Sequence, residues 1–102
     1  MATLNIANTS NGSTYSGAWT NQNVTSVITF SDATSGINAG SLEWTATNSN
    51  WYAISNTSTS TYTDTWSGDR NTTNAGYKIC DNAGNCTPKL FTLKIAYAII
   101  YL

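Results

Sequence analysis

Along the chain, apolar and polar residues alternate in short runs separated by clusters of Asn, Gly, Ser and Asp. A two-residue period puts successive side chains on opposite faces of an extended strand. No window repeats apolar residues at helical spacing over three turns, so strands are expected throughout. Thr3-Leu4-Asn5-Ile6 opens the chain as a short strand. The polar segment Asn8 to Thr14 follows, with a turn signal at Asn11-Gly12. Tyr15 to Gln22 reads as a loop holding Trp19. From Asn23 to Phe30, Val24, Ile28 and Phe30 share one face with Ser26 as its odd member, and Val27 lies opposite. Ser31 to Ser41 is a Gly-, Ala- and Ser-rich connection.

In the run Leu42 to Thr47, Leu42, Trp44 and Ala46 face one way, which places Trp44 where a sandwich buries an aromatic ring. Trp51 to Ile54 is a short strand after the turn at Asn48-Ser49-Asn50. Thr61 to Trp66 sets Tyr62, Asp64 and Trp66 on one side. Gly68 to Asn74 reads as a loop. Gly76 to Cys80 is a strand with Tyr77 and Ile79 on one face, Asp81 to Asn85 is a tight turn, and a last run starts near Thr87. Seven or eight strands at a spacing of roughly 8–12 residues predict an all-β, two-sheet antiparallel sandwich. No linker or internal repeat interrupts it, so residues 1–102 form one domain.

The end of the chain has a different character. Phe91, Leu93, Ile95, Tyr97, Ile99 and Tyr101 share one strand face, and beyond Ile95 the other face is apolar too. The stretch is too short to cross a bilayer as a helix, which takes about 20 residues. Two readings stay open: the strand is sandwiched inside the domain, or another copy covers it. Together with Leu4 and Ile6, these residues make segments 2–6 and 90–102 the candidate assembly strands, shared with neighbouring protomers.

Composition sharpens that picture. Asn, Ser and Thr supply 43 of the 102 residues, whereas Asp, Glu, Lys and Arg supply only 9. The net charge of −1 offers no cationic surface to nucleic acid or to an anionic membrane. With no histidine, Ser-His-Asp and Cys-His nucleophile systems are excluded, and so are imidazole metal ligands. Twelve aromatic residues and regular strand runs argue against disorder. Arg70, Lys78, Lys89 and Lys94 are the only cationic side chains, so strand edges look poorly guarded. That points to edge-to-edge assembly or to glycan shielding.

Cys80 and Cys86 flank Asp81-Asn82-Ala83-Gly84-Asn85, a hairpin turn by its chemistry. Cysteines on opposite arms of a hairpin can reach disulfide distance, which implies an oxidising, extracytoplasmic setting. Free thiols are the alternative, and a metal pair would lack further ligands. The carboxylates Asp32, Glu43, Asp64, Asp69 and Asp81 form no Asp-x-Asp-x-Asp-Gly run and suggest no paired-acid cleft, so neither metal nor cofactor is expected. Asp81 is expected to order its own turn. Trp19, Trp51, Tyr52 and Trp66 could stack on sugar rings if exposed, which makes a carbohydrate-binding module a rival reading; packing under loops is the plainer one. Acceptor patterns for N-glycosylation stand at Asn8, Asn11, Asn23, Asn56, Asn71 and Asn85.

Gly17-Ala18-Trp19-Thr20-Asn21, Asn23-Val24-Thr25 and Ser31-Asp32-Ala33-Thr34-Ser35-Gly36-Ile37 resemble the opening of bacterial immunoglobulin-like repeats. Tyr77 to Cys86, with Asp81-Asn82-Ala83-Gly84-Asn85, is similar to the hairpin near their end. The resemblance covers about residues 3 to 95 and implies an immunoglobulin-like sandwich acting as a spacer or adhesive module on a bacterial surface. Where such repeats run into a Pro-containing linker, this chain continues Ile95-Ala96-Tyr97-Ala98-Ile99-Ile100-Tyr101-Leu102. That departure is more similar to pilus subunits that exchange a strand. The expectation is therefore a non-enzymatic subunit of an extracellular fibre or surface array, a homopolymer built by strand pairing, with surface glycans as further partners. The alternatives are a carbohydrate-binding module or one spacer repeat of a longer surface protein. No signal-peptide pattern precedes Thr3, which suggests a mature product or a partial sequence.

Overall fold

The computed structural model describes residues 1–97, which form eight strands and no helix. They are β1 (Thr3–Ser10), β2 (Ser13–Thr14), β3 (Val24–Ser31), β4 (Ile37–Thr45), β5 (Tyr52–Ala53), β6 (Thr61–Trp66), β7 (Arg70–Asp81) and β8 (Cys86–Ile95). Two four-stranded antiparallel sheets result, one ordered β2-β1-β3-β6 and the other β5-β4-β7-β8. The chain changes sheet three times, between β3 and β4, between β5 and β6 and between β6 and β7, the connectivity of an immunoglobulin-like sandwich. Asn11 and Gly12 both take positive φ, 51° and 80°, giving the twist that suits the two-residue β1–β2 hairpin.

Two segments that read as connections are strands. β4 starts at Ile37, within the Gly- and Ser-rich run, because a bulge between Asn38 and Glu43 absorbs the extra residues. Ser41 holds that bulge: its hydroxyl accepts the Cys80 N–H at 2.8 Å and donates to the Asn38 carbonyl at 2.6 Å. Likewise β7 starts at Arg70 and absorbs an irregularity between Thr72 and Ala75. There the Thr72 hydroxyl donates to the Ala46 carbonyl at 2.7 Å and accepts the Asn74 N–H at 3.0 Å. Local composition registers polar bulge residues as loop; their side chains supply the hydrogen bonds that keep the strand continuous.

The core lies between the sheets. Val24, Ile28, Leu42, Tyr77, Ile79, Leu93 and Ile95 have no exposure, and Leu4, Phe30 and Trp66 have almost none. Trp66 takes the central aromatic position that the alternation assigned to Trp44. It makes edge contacts with Trp44, Tyr77 and Phe91 at centroid separations of 5.7, 6.0 and 6.0 Å. Trp44 is only half-buried and stacks at a tilt on exposed Tyr52. Ser26 belongs on the inner face because it accepts the Trp66 indole N–H at 3.2 Å and donates to the Asn8 side chain. Gly76 is required by the approach of β8: a Cβ there would sit 2.2 Å from the Lys89 carbonyl oxygen.

Candidate functional site

The two ends of the described chain lie at opposite poles of the sandwich. At the first pole, Thr3 pairs with Ser31, and the Asp32 to Gly36 turn meets the hairpin that joins β7 to β8. Asn82 donates its backbone N–H to the Gly36 carbonyl and its side-chain amide to the Ser35 carbonyl, both at 2.9 Å. The Thr87 hydroxyl donates to the Ala2 carbonyl at 2.7 Å, which ties the first residues to β8. Cys80 and Cys86 face each other in register and form a disulfide. Asp81 orders the turn between them, its Oδ1 accepting the Ala83 and Asn85 N–H groups at 3.0 and 2.8 Å.

Charge at this pole is compact. The Met1 ammonium lies 3.2 Å from Asp32 Oδ2 and 3.5 Å from Asp81 Oδ2, and both side chains are closed off from solvent. Asp32 Oδ1 accepts the N–H groups of Thr34 at 2.8 Å and Ser35 at 3.0 Å. The Thr34 bond above all holds the Asp32 carboxyl below the ordinary carboxylate range, and the same carboxylate raises the Met1 amine above its usual value. Among the described residues no group of three or more His, Cys, Asp or Glu converges as a metal site.

At the second pole the loop Tyr15 to Thr20 runs along the free edge of β8. The Tyr15 hydroxyl accepts the Lys94 N–H at 2.8 Å. Thr20 donates to the Lys94 carbonyl at 3.1 Å and accepts the Ala96 N–H at 2.9 Å. Tyr97 is anchored by its N–H to Asp69 at 3.1 Å, and its hydroxyl meets both the Gly68 N–H and the Asn23 side chain. The expected assembly residues are thus distributed within one domain. Leu4, Leu93 and Ile95 are buried, Ile6 and Phe91 pack against the core, and Tyr97 is part-exposed at the pole. Leu4, Leu93 and Ile95 thus pack within their own chain, while Tyr97 stays exposed. Ile99 and Tyr101 lie outside the described residues.

The tryptophans proposed for sugar stacking separate. Trp66 is buried in the core, which removes it as an exposed platform. Trp51 is half-buried on the outer face, with Lys78 Nζ 4.5 Å from its ring and Glu43 3.3 Å from that ammonium. Trp19 is 57% exposed at the second pole, with Lys94 Nζ 5.8 Å from its ring. Of the glycosylation patterns, Asn11, Asn23, Asn71 and Asn85 are exposed. Asn56 spends its side-chain N–H bonds on the Ala39 and Ser58 carbonyls, and Asn85 donates to Asp81 at 3.2 Å. Asn8 is half-buried against Ser26.

A concave feature lies between the two sheet edges. β5 ends one sheet and β6 ends the other, and between them opens a groove of about 390 Å³. Trp44, Ile54 and Tyr62 border it above the buried Trp66, Asp64 and Arg70 line it as well, and its exposed surface is mostly polar. The Tyr77 hydroxyl donates to Asp64 Oδ2 at 2.7 Å, and the Thr65 N–H reaches Oδ1 at 2.9 Å. Burial first, and Asp64 second, push the Tyr77 phenol far above its usual pKa, so it stays a proton donor. The alternation at Tyr62, Asp64 and Trp66 already indicated a shared face; that this face borders a groove depends on β6 being an edge. No family model, curated protein or solved structure matches the chain.

Proposed function

We propose that this chain is a non-enzymatic structural module of an extracellular surface protein, a spacer that carries load between its two ends. The supporting observation is the placement of its first and last strands. β1 lies inside one sheet, β8 borders the other, and they leave from opposite poles. Tension applied at the poles would shear β1 along β3 and β8 along β7, loading eight and nine aligned residue pairs together. The disulfide closes the hairpin at the first pole and suits an oxidising compartment.

A fibre built by strand exchange finds less support, because the sheet edges of the described residues are short, partly covered or charged. β2 and β5 are two residues long, the end of β8 is covered by the Tyr15 loop, and β6 turns Asp64 inward. Single-molecule pulling between residues 1 and 97 tests the spacer reading. One cooperative unfolding event releasing the whole domain is expected. Stepwise peeling of strands at low force would refute it, and so would fibres forming from the purified chain in negative-stain images.

A further inference from the structure

We propose that the groove between β5 and β6 binds a saccharide, a β-linked chain of neutral hexose or N-acetylhexosamine units. This is a recognition function separate from load-bearing, and it rests on different residues. A pyranose with equatorial substituents has an apolar C–H face and a rim of hydroxyls. It is matched by flat aromatic surface bordered by a few fixed donors and acceptors. Half-buried Trp44 and Tyr62 supply the aromatic wall, with buried Trp66 packed behind it. Exposed Tyr52, with its ring 4.8 Å from that of Trp44, continues the aromatic surface beyond it.

The polar groups are held ready. Two hydrogen bonds fix the Asp64 carboxylate and leave lone pairs free for hydroxyl donors. Arg70 lies with its guanidinium carbon 5.3 Å from the Trp66 ring centroid, and its Nε donates to the Ser67 carbonyl at 3.4 Å. Among the described residues neither Asp64 nor Arg70 takes part in an ion pair. An acceptor and a donor fork therefore line the same groove uncommitted to each other, a pattern that neighbouring sugar hydroxyls can bridge.

Charge and shape select the class. One acid and one base cancel, which favours a neutral ligand over an anionic glycan. The groove lies open between two sheet edges, so a chain of sugars can run through it. An added peptide strand fits less well, because pairing with β6 from this side would bury the Asp64 carboxylate further.

The test is an NMR titration of the intact chain with cellohexaose and with chitohexaose, following the four tryptophan indole N–H signals. Saturable shifts of Trp44 and of the Tyr62 to Trp66 amides are expected, with Trp19 and Trp51 as unmoved internal controls. The dissociation constant should lie at about 0.1–10 mM. Arg70→Gln should weaken binding about tenfold while the chain stays folded. Asp64→Asn should do the same, and its amide oxygen can still accept from Tyr77, which protects folding if Arg70→Gln proves unstable. No saturable shift at about 10 mM of either sugar would overturn the proposal. So would shifts confined to Trp19, binding indifferent to both substitutions, or tighter binding of a hyaluronan hexasaccharide. New amide protection along Thr61–Trp66 with an extended threonine-rich peptide, without sugar binding, would replace it by strand addition.

Discussion

The two open sides of the sandwich meet the same physical problem in different ways. On the β8 side, the strand edge carries backbone groups that could pair with another molecule, and the Tyr15 loop covers part of it with hydrogen bonds of its own. On the β5–β6 side, the connection from Ile54 to Ser60 passes between the sheets, and its first residues, Ile54 and Ser55, line the gap rather than closing it. One edge strand is two residues long, and the other turns Asp64 inward against Tyr77. The first solution covers the end of the strand and the second leaves a groove bordered by aromatic and charged side chains. An edge guarded by a charge rather than by a cover remains accessible to ligands.

Substitutions on each side should separate these roles. The largest effect is expected from Trp66→Ala, which empties the shared centre of the aromatic cluster. A loss of about 3–5 kcal/mol in chemical denaturation is expected. A loss below about 1 kcal/mol would mean that the groove side contributes little to the core. Tyr15→Phe acts only on the covered side. It leaves the Lys94 N–H without its partner, costing about 1–2 kcal/mol in the same assay. The freed edge should also make the protein associate at high concentration, as read by sedimentation. Equal association of Asp64→Asn would show that both sides rely on the same protection.

The smallest effect concerns acid. The folded Asp32 carboxyl is held below its ordinary value of 3.8, chiefly by the Thr34 N–H. Its contribution is complete above that ordinary value and is lost as pH falls below it toward the depressed one. A modest drop in melting temperature should therefore appear below about pH 4 and be reduced in Asp32→Asn. An unchanged acid profile in that variant would assign the loss to other carboxylates.

Much of the fold was legible from local pattern. The Asn11-Gly12 hairpin, the alternation of β3 and β6, and the Cys80–Cys86 turn each depend on neighbours a few residues apart, and each stands where expected. The bulged starts of β4 and β7 were not legible. Ser41 and Thr72 reveal their structural use only once Cys80 and Ala46 are beside them. The exchange of places between Trp44 and Trp66 has the same origin. Alternation puts both on inner faces, but depth depends on what packs across the sheets: Trp66, on edge strand β6, meets Tyr77 and Phe91, whereas Trp44 stacks on exposed Tyr52.

The amino-acid order by itself determined that this chain forms strands, that Cys80 and Cys86 close a hairpin, and that histidine-dependent chemistry is excluded, because periodicity, short-range geometry and residue type are local properties. Whether Leu4, Leu93 and Ile95 reach the core, and whether Asp64 and Arg70 line one groove, was decided by how the sheets pack. Contacts between Tyr15 and Lys94, or across β5 and β6, exist only after distant segments have been brought together.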